Sequence, residues 1–234
     1  MKLAIMQPYI FPYLGYYQLI SAVDTFVFFD NVNYIKKGWI NKNHILINNS
    51  SYKFTLPVKD SSQNKLINEI ELSDYNKWCD KFLKTISSSY KKAPQFTPTF
   101  NLLTDILQQP HTLVAEVAEL SIVGISEFLG FKTIFEKSSS IDYNINAENG
   151  EEKILDICRI KKADVYINPY NGKDLYNKDR FSQNHISLNF LRMDDVSYPQ
   201  FLEKNFVPSL SILDILMFND KSTVRELINK YILE

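Results

Sequence analysis

Glycine is scarce in this chain. Its 234 residues include six, Gly15, Gly38, Gly124, Gly130, Gly150 and Gly172. No spacing among them makes GxGxxG or GxxxxGK[ST], which argues against glycine-cradled dinucleotide and P-loop phosphate sites. Cysteine is limited to Cys79 and Cys158, too far apart for a CxxC pair, so both read as reduced core thiols. The three histidines, His44, His111 and His185, form neither HxH nor HExxH, and no metal site is expected from them. A net charge of −1 supplies no overall field to draw nucleic acid or an anionic membrane, so any anion site must be local. Long uncharged apolar runs are missing as well. The most apolar stretch, 112–131, is cut by Glu116, Glu119 and Glu127, against a membrane span. Strand-like sequence from Met1 onwards leaves no room for a secretory leader, and a cytoplasmic setting is expected.

What is present is a hydrophobic fraction of 45%, enough for one large core, and an alternation of strand-like and helix-like runs. Residues 3–6 and 25–29 ("TFVFF") read as buried strands around a helix at 16–22. "HILINN" and "YKFTLPV" read as a hairpin turning at 48–51, and "INEIEL" as a half-buried strand. The middle is helical. Asp74 would cap a helix carrying Trp78, Phe82 and Ile86 and ended by Pro94, and a shorter helix spans 100–107. A third carries Leu113, Val117, Leu120, Gly124 and Phe128 on one stripe and stops at Gly130. A strand at "TIFEKSS", a helix at 151–162, strands at "DVYIN" and "ISLNFLR", and two closing helices follow, with Ser222 as cap of the last. Strand–helix–strand units at both ends imply parallel pairing. The expected fold is therefore α/β: a single three-layer domain over 1–234, with a mostly parallel Rossmann-like sheet and an appended β-hairpin.

Ligands of open parallel sheets bind beyond the carboxyl ends of the strands, and three unusual stretches fall there. The first is "MQPYIFPYLGYYQLI", residues 6–20. Pro8 and Pro12 stiffen the turn that carries Gln7, Tyr9, Tyr13 and Tyr16, and Gly15 permits close approach at the start of a helix. The second is "DNVNYIKKGWINKNH", residues 30–44. Asp30 follows a buried strand, Lys36 and Lys37 offer charge to phosphate oxygens, Trp39 offers a stacking face, and Asn41 and Asn43 offer amides. The third, "YINPYNGKDLY" at 166–176, supplies Asn168, Tyr170 and Asn171, with Gly172 making the turn. Ser211 and Asp214 are isolated polar groups on an apolar helix; helix capping by Ser209 or Ser211 is the simplest account, and a ligand role needs that helix end to face the sheet edge.

With these residues in view, the chain resembles the WbqC family over nearly its whole length. The likeness rests on "QPYIFPYLGYYQLISAVDTFVFFDNVNYIKKGWINKN", "LPV" at 56–58, "SYKKAP" at 89–94, "ADVYINPYNGKDLY", and "SYPQF" followed by "PSLSILDILMF". The resemblance implies a part in bacterial surface polysaccharide (O-antigen) synthesis, and an acyl or aminoacyl transfer onto an amino sugar still attached to its nucleotide. The opening layout also resembles the HxGH segment of nucleotidylyl transferases and pantothenate synthetase. Here "PYLGYY" has tyrosines where that motif has the histidines that stabilise a phosphate transition state, so adenylate chemistry is not implied.

Two readings stand at this level. In one, the chain is an amide-forming transferase with Asp30 as base and Gln7, Asn41 and Tyr170 orienting a nucleotide-linked amino sugar. The remaining substrate contacts come from Tyr9, Tyr13, Tyr16, Lys36, Lys37, Trp39, Asn43, Asn168, Asn171, Ser211 and Asp214. In the other, it is a non-catalytic nucleotide-sugar-binding or scaffold protein. No cofactor is identified from the sequence, and the acyl donor is not named by it.

Overall fold

The computed structural model describes residues 1–36, 38–201 and 206–234. Its centre is a six-stranded sheet in the order β5-β2-β1-β6-β7-β8, formed by β1 (Lys2–Met6), β2 (Thr25–Phe28), β5 (Ile134–Lys137), β6 (Val165–Pro169), β7 (Ser187–Met193) and β8 (Tyr231–Leu233). Every pairing is parallel except that of β7 with β8. The β-branched and aromatic run of β2 is buried along its whole length, as both faces of a covered parallel sheet require. A separate antiparallel hairpin pairs β3 (Lys42–Ile47) with β4 (Ser50–Thr55).

Alternating side chains divide the interior between the two faces. Ala4, Phe26 and Phe28 pack with α1 (Leu14–Ser21), α2 (Tyr75–Tyr90), α3 (Phe96–Leu107), α4 (Val114–Leu129), α7 (Ile212–Phe218) and α8 (Lys221–Ile228). Leu3, Ile5 and Val27 pack with α5 (Gly150–Ile160) and α6 (Lys178–Gln183). The α/β, mostly parallel expectation with its hairpin is thus met. The neighbours β1 and β6 send their next helices, α1 and α6, to opposite faces, which opens a crevice between their carboxyl ends.

The local reading differs at several points. "INEIEL" forms a short 3-10 turn, Ile67–Glu69, flanked by single bridges from Leu66 to Asn33, Val58 to Leu72 and Glu71 to Leu113. The last helix stops at Ile228 and the chain turns back as β8, because β7 offers an edge to pair with. Its cap is Asp220, whose carboxylate accepts the Thr223 N–H at 2.8 Å, and not Ser222. The apolar surface of α4 reaches almost all round the helix: Val114, Ala118, Ile122, Ile125 and Leu129 are buried, whereas Leu120, Gly124 and Phe128 are half-buried. No helix among the described residues is long and apolar enough to cross a membrane.

Candidate functional site

The turn between β1 and α1 is fastened on three sides at Phe11, whose φ of 44° lies in the left-handed region. A bulky residue there, and one preceding a proline, is strained, at a cost of order 1–3 kcal/mol. Its N–H donates to Ser121 Oγ of α4 at 3.0 Å, and its carbonyl accepts from Asn43 Nδ2 of β3 and from Ser211 Oγ at 2.8 Å. Ser211 also caps α7, accepting the Leu213 N–H. Tyr16 is buried and gives its hydroxyl to the Gln7 carbonyl at 2.8 Å. Together these groups present the rest of the turn at the carboxyl end of the sheet.

What they present is a set of rings. Tyr9 packs edge-on to Tyr16 and lies 6.2 Å from Trp39, which is 56% exposed and 5.6 Å from the His44 ring. Burial raises the hydroxyl pKa of Tyr9 and Tyr13, with Tyr13 adding to the effect on Tyr9. Both remain neutral phenols at any physiological pH and can donate as well as accept. Beside them, the β1/β6 crevice holds a depression of about 200 Å³ bordered by Tyr13, Gly15, Tyr170, Asn171 and Arg192. Two glycines make close approaches here. A Cβ on Gly15 would strike the Tyr13 ring, and one on Gly172 would collide with the Asn168 side-chain amide. Arg192 is partly exposed and spends its Nε on Glu234 at 2.8 Å. The half-buried Gln7 amide has no hydrogen bond among the described residues.

Gln7, Tyr9, Tyr13, Trp39, Tyr170 and Asn171 therefore share the open carboxyl edge of the sheet. Lys36 is exposed on the neighbouring loop and accepts the Lys42 ammonium on its carbonyl. Lys37 lies outside the described residues. Six of the residues read as substrate contacts are instead in the interior, each with its polar atoms engaged. Tyr16 and Asn43 hold the turn, as above. Asn41 accepts from the Tyr34 hydroxyl at 2.9 Å and donates to the Leu56 carbonyl at 2.7 Å. Ser211 is a cap. Asp214 accepts from Tyr90, Tyr198 and Gln200 at 2.7–2.8 Å and is fully buried. Asn168 is 5% exposed and backs the Gly172 turn.

Asp30 is buried too, and its carboxylate is turned away from the opening turn. It accepts from Ser138 Oγ at 2.9 Å, from the Ser139 N–H at 2.9 Å and hydroxyl at 2.6 Å, and from Asn68 Nδ2 at 3.3 Å. All these partners lie at the end of β5 or after the hairpin. The expected pairing of Asp30 with Tyr9 and Tyr13 across one cleft is not what the geometry gives. Its bonds fasten the turn that follows β5.

Sequence reasoning missed a second group of charges on the α4 side of the sheet. Glu119 of α4, with a side chain only 7% exposed, pairs with Lys137 at the end of β5 at 2.6 Å. Burial, with Asp30 and Glu116 nearby, pushes the Glu119 carboxyl up in spite of Lys137. One turn earlier, burial also acts on Glu116, but the Thr112 and Leu113 N–H groups outweigh it and hold that carboxyl low. The signal in the sequence was a carboxylate within a helix that is otherwise apolar nearly all round. Among the described residues no three His, Cys, Asp or Glu side chains are grouped to hold a metal ion.

Comparison with known proteins matches the WbqC-like protein family over residues 7–226. The chain belongs to the WbqC-like protein family. That span takes in all the residues placed above at the sheet edge. The chain is also similar to the uncharacterized protein Rv1507c of Mycobacterium tuberculosis, 27% identical over 217 residues, covering 92% of each chain. No solved structure matches this WbqC-like chain.

Proposed function

We propose that this WbqC-like protein is a transferase of surface polysaccharide (O-antigen) synthesis that binds a nucleotide-linked amino sugar at the carboxyl edge of its sheet and forms an amide on the sugar's amino group. The observation that carries the reading is the β1/β6 crevice, where a strained, fastened turn holds Tyr13 opposite Tyr170 and Arg192. A guanidinium with N–H groups left over after Glu234 suits a diphosphate. Phenol and amide groups from Tyr9, Tyr13, Gln7 and Asn171 suit sugar hydroxyls. The exposed Trp39 face, backed by Tyr9 and His44, suits a base.

In the reaction, the neutral amine attacks the carbonyl carbon of an activated acyl or aminoacyl donor. The C–N bond forms, the leaving group departs with the electron pair of its bond to that carbon, and the ammonium proton passes to a base. Asp30, with four donors already on its carboxylate, serves as an anchor for the site's edge. Gln7 orients the acceptor.

The test is incubation of the purified protein with dTDP- and UDP-linked amino sugars, supplied with acyl thioesters or aminoacyl donors and followed by mass spectrometry. The expected result is a sugar nucleotide heavier by one acyl or aminoacyl group. Saturable binding of the same sugars with no product from any donor would overturn the transferase reading in favour of a binding module.

A further inference from the structure

Between α4 and the β2–β5 edge lies a cavity of about 350 Å³ that is separate from the β1/β6 crevice and shares no lining residue with it. Its size falls within the range of small-molecule sites. One side is apolar, made by Phe28, Phe135, Leu120 and Val123. The other carries Glu116, Glu119 and Lys137, two carboxylates against one ammonium; Glu136 borders the cavity too, but it stands opposite Val27 in β5 and turns its carboxylate to the α5 face, where it holds Lys161 at 2.6 Å. Glu116 is already engaged, accepting the Thr112 and Leu113 N–H groups. Glu119 is different. Lys137 occupies its Oε2, and its buried Oε1 has no hydrogen-bond partner among the described residues. A carboxylate oxygen buried without a donor is costly, and such an atom in a native fold calls for an explanation.

We infer that this cavity is a binding site for a small molecule with a primary ammonium and an apolar body, the ammonium completing the coordination of Glu119 and the body lying on Phe28, Phe135, Leu120 and Val123. A primary ammonium has three N–H donors, enough to serve Glu119 and leave others for the mouth. The excess of carboxylates selects against anions, and the apolar wall disfavours a bare hydrated cation. His111, also on the lining, has its Nε2 3.4 Å from the Ile106 carbonyl and packs edge-on against Tyr75, so it faces the helix rather than Glu119. The inference does not rest on the transferase reading; either stands if the other fails.

The probe is 2-phenylethylamine, titrated into the intact protein and followed by the methyl resonances of Leu120 and Val123, with 2-phenylethanol and phenylacetate as the neutral and anionic counterparts. The expected result is saturable binding of the amine with shifts at those methyls, at least about 10-fold weaker binding of the alcohol, as befits a lost charged hydrogen bond, and none of the carboxylate. Glu119→Gln should erase the preference for amine over alcohol. Val123→Trp, which fills the cavity from a half-buried position, should remove binding while leaving a folded protein, so the test survives even if Glu119→Gln does not fold. No saturable amine binding, equal binding of amine and alcohol, or a preference that persists in Glu119→Gln would overturn the proposal. A water on Glu119 Oε1 would produce the first of these outcomes.

Discussion

Asn43 and Trp39 lie four residues apart on one polar stretch, yet their side chains do opposite things. Asn43 is 1% exposed, donates to the Phe11 and Ile10 carbonyls and accepts the His44 N–H. Trp39 is open to solvent. Asn43→Ala should therefore take one of two donors from the Phe11 carbonyl, a donor from the Ile10 carbonyl and the acceptor from the His44 N–H, and cost roughly 1–3 kcal/mol of stability, the penalty of an orphaned buried group, read as a lower urea midpoint. Trp39→Ala should leave that midpoint within about 0.5 kcal/mol, as surface changes do, while weakening nucleotide-sugar binding by roughly 1–3 kcal/mol, the scale of base stacking. A titration showing equal affinity in the variant would remove Trp39 from the site. The stretch was legible as unusual, but the division of labour within it was not. Polar residue types mark both a ligand contact and a buried tie, and only the three-dimensional neighbours of Asn41, Asn43 and Asp30 tell which it is. Asp214 and Tyr16 were hidden for the same reason. Glu119 was hidden by the opposite one, its neighbours in sequence being so apolar that its charge read only as an interruption.

Most elements were legible because their signals are local. "TFVFF", Gly130 in its left-handed C-terminal position (φ 81°) and the closing strand–helix–strand unit all stand where residue type and period put them, and the hairpin turns within the expected 48–51 but more tightly, at Asn48 and Asn49 alone. Elements that depend on a distant partner were not. β8 exists because β7 has a free edge, and isolated bridges at Leu66, Glu71 and Leu72 replace a strand because three different segments, at Asn33, Leu113 and Val58, each meet that stretch at one residue. The α8 cap is a case that stability can decide. Asp220 and Ser222 are both good cap types two positions apart, but only Asp220 has the extended backbone of a cap (φ −68°, ψ 167°) and the bond to Thr223. Asp220→Ala should cost about 0.5–2 kcal/mol, and Ser222→Ala should stay within about 0.5 kcal/mol, both measured by thermal unfolding. The reverse order would restore Ser222 as the cap.

Across the whole molecule, Asp214 joins three parts of the chain: it stands in the first turn of α7, and its carboxylate takes Tyr90 from the end of α2 and Tyr198 and Gln200 from the segment before α7. Burial pushes the Asp214 carboxyl above its ordinary value of 3.8, and the three donors pull back only part of that rise. Glu119 is raised above 4.5 in the same sense. A carboxyl whose folded value exceeds its unfolded one binds protons more tightly in the fold. Stability from that group is fully present below the unfolded value and is lost as pH rises through the folded value. Glu116 and Asp220, held low by backbone N–H groups in spite of their desolvation, work the other way and lose stability as pH falls through their folded values. The two classes therefore oppose each other, and a variant must isolate one. Asp214→Asn keeps an oxygen for one tyrosine but sets an amide against the Gln200 amide, an offset that does not depend on pH. What does depend on pH is the charge it removes. Melting temperatures of parent and variant, measured from about pH 4 to pH 7, should differ by an amount that shrinks as pH rises, because only the parent keeps losing stability through Asp214. A constant difference would mean that Asp214 titrates alike in the folded and unfolded chain, and that its three donors balance its burial completely.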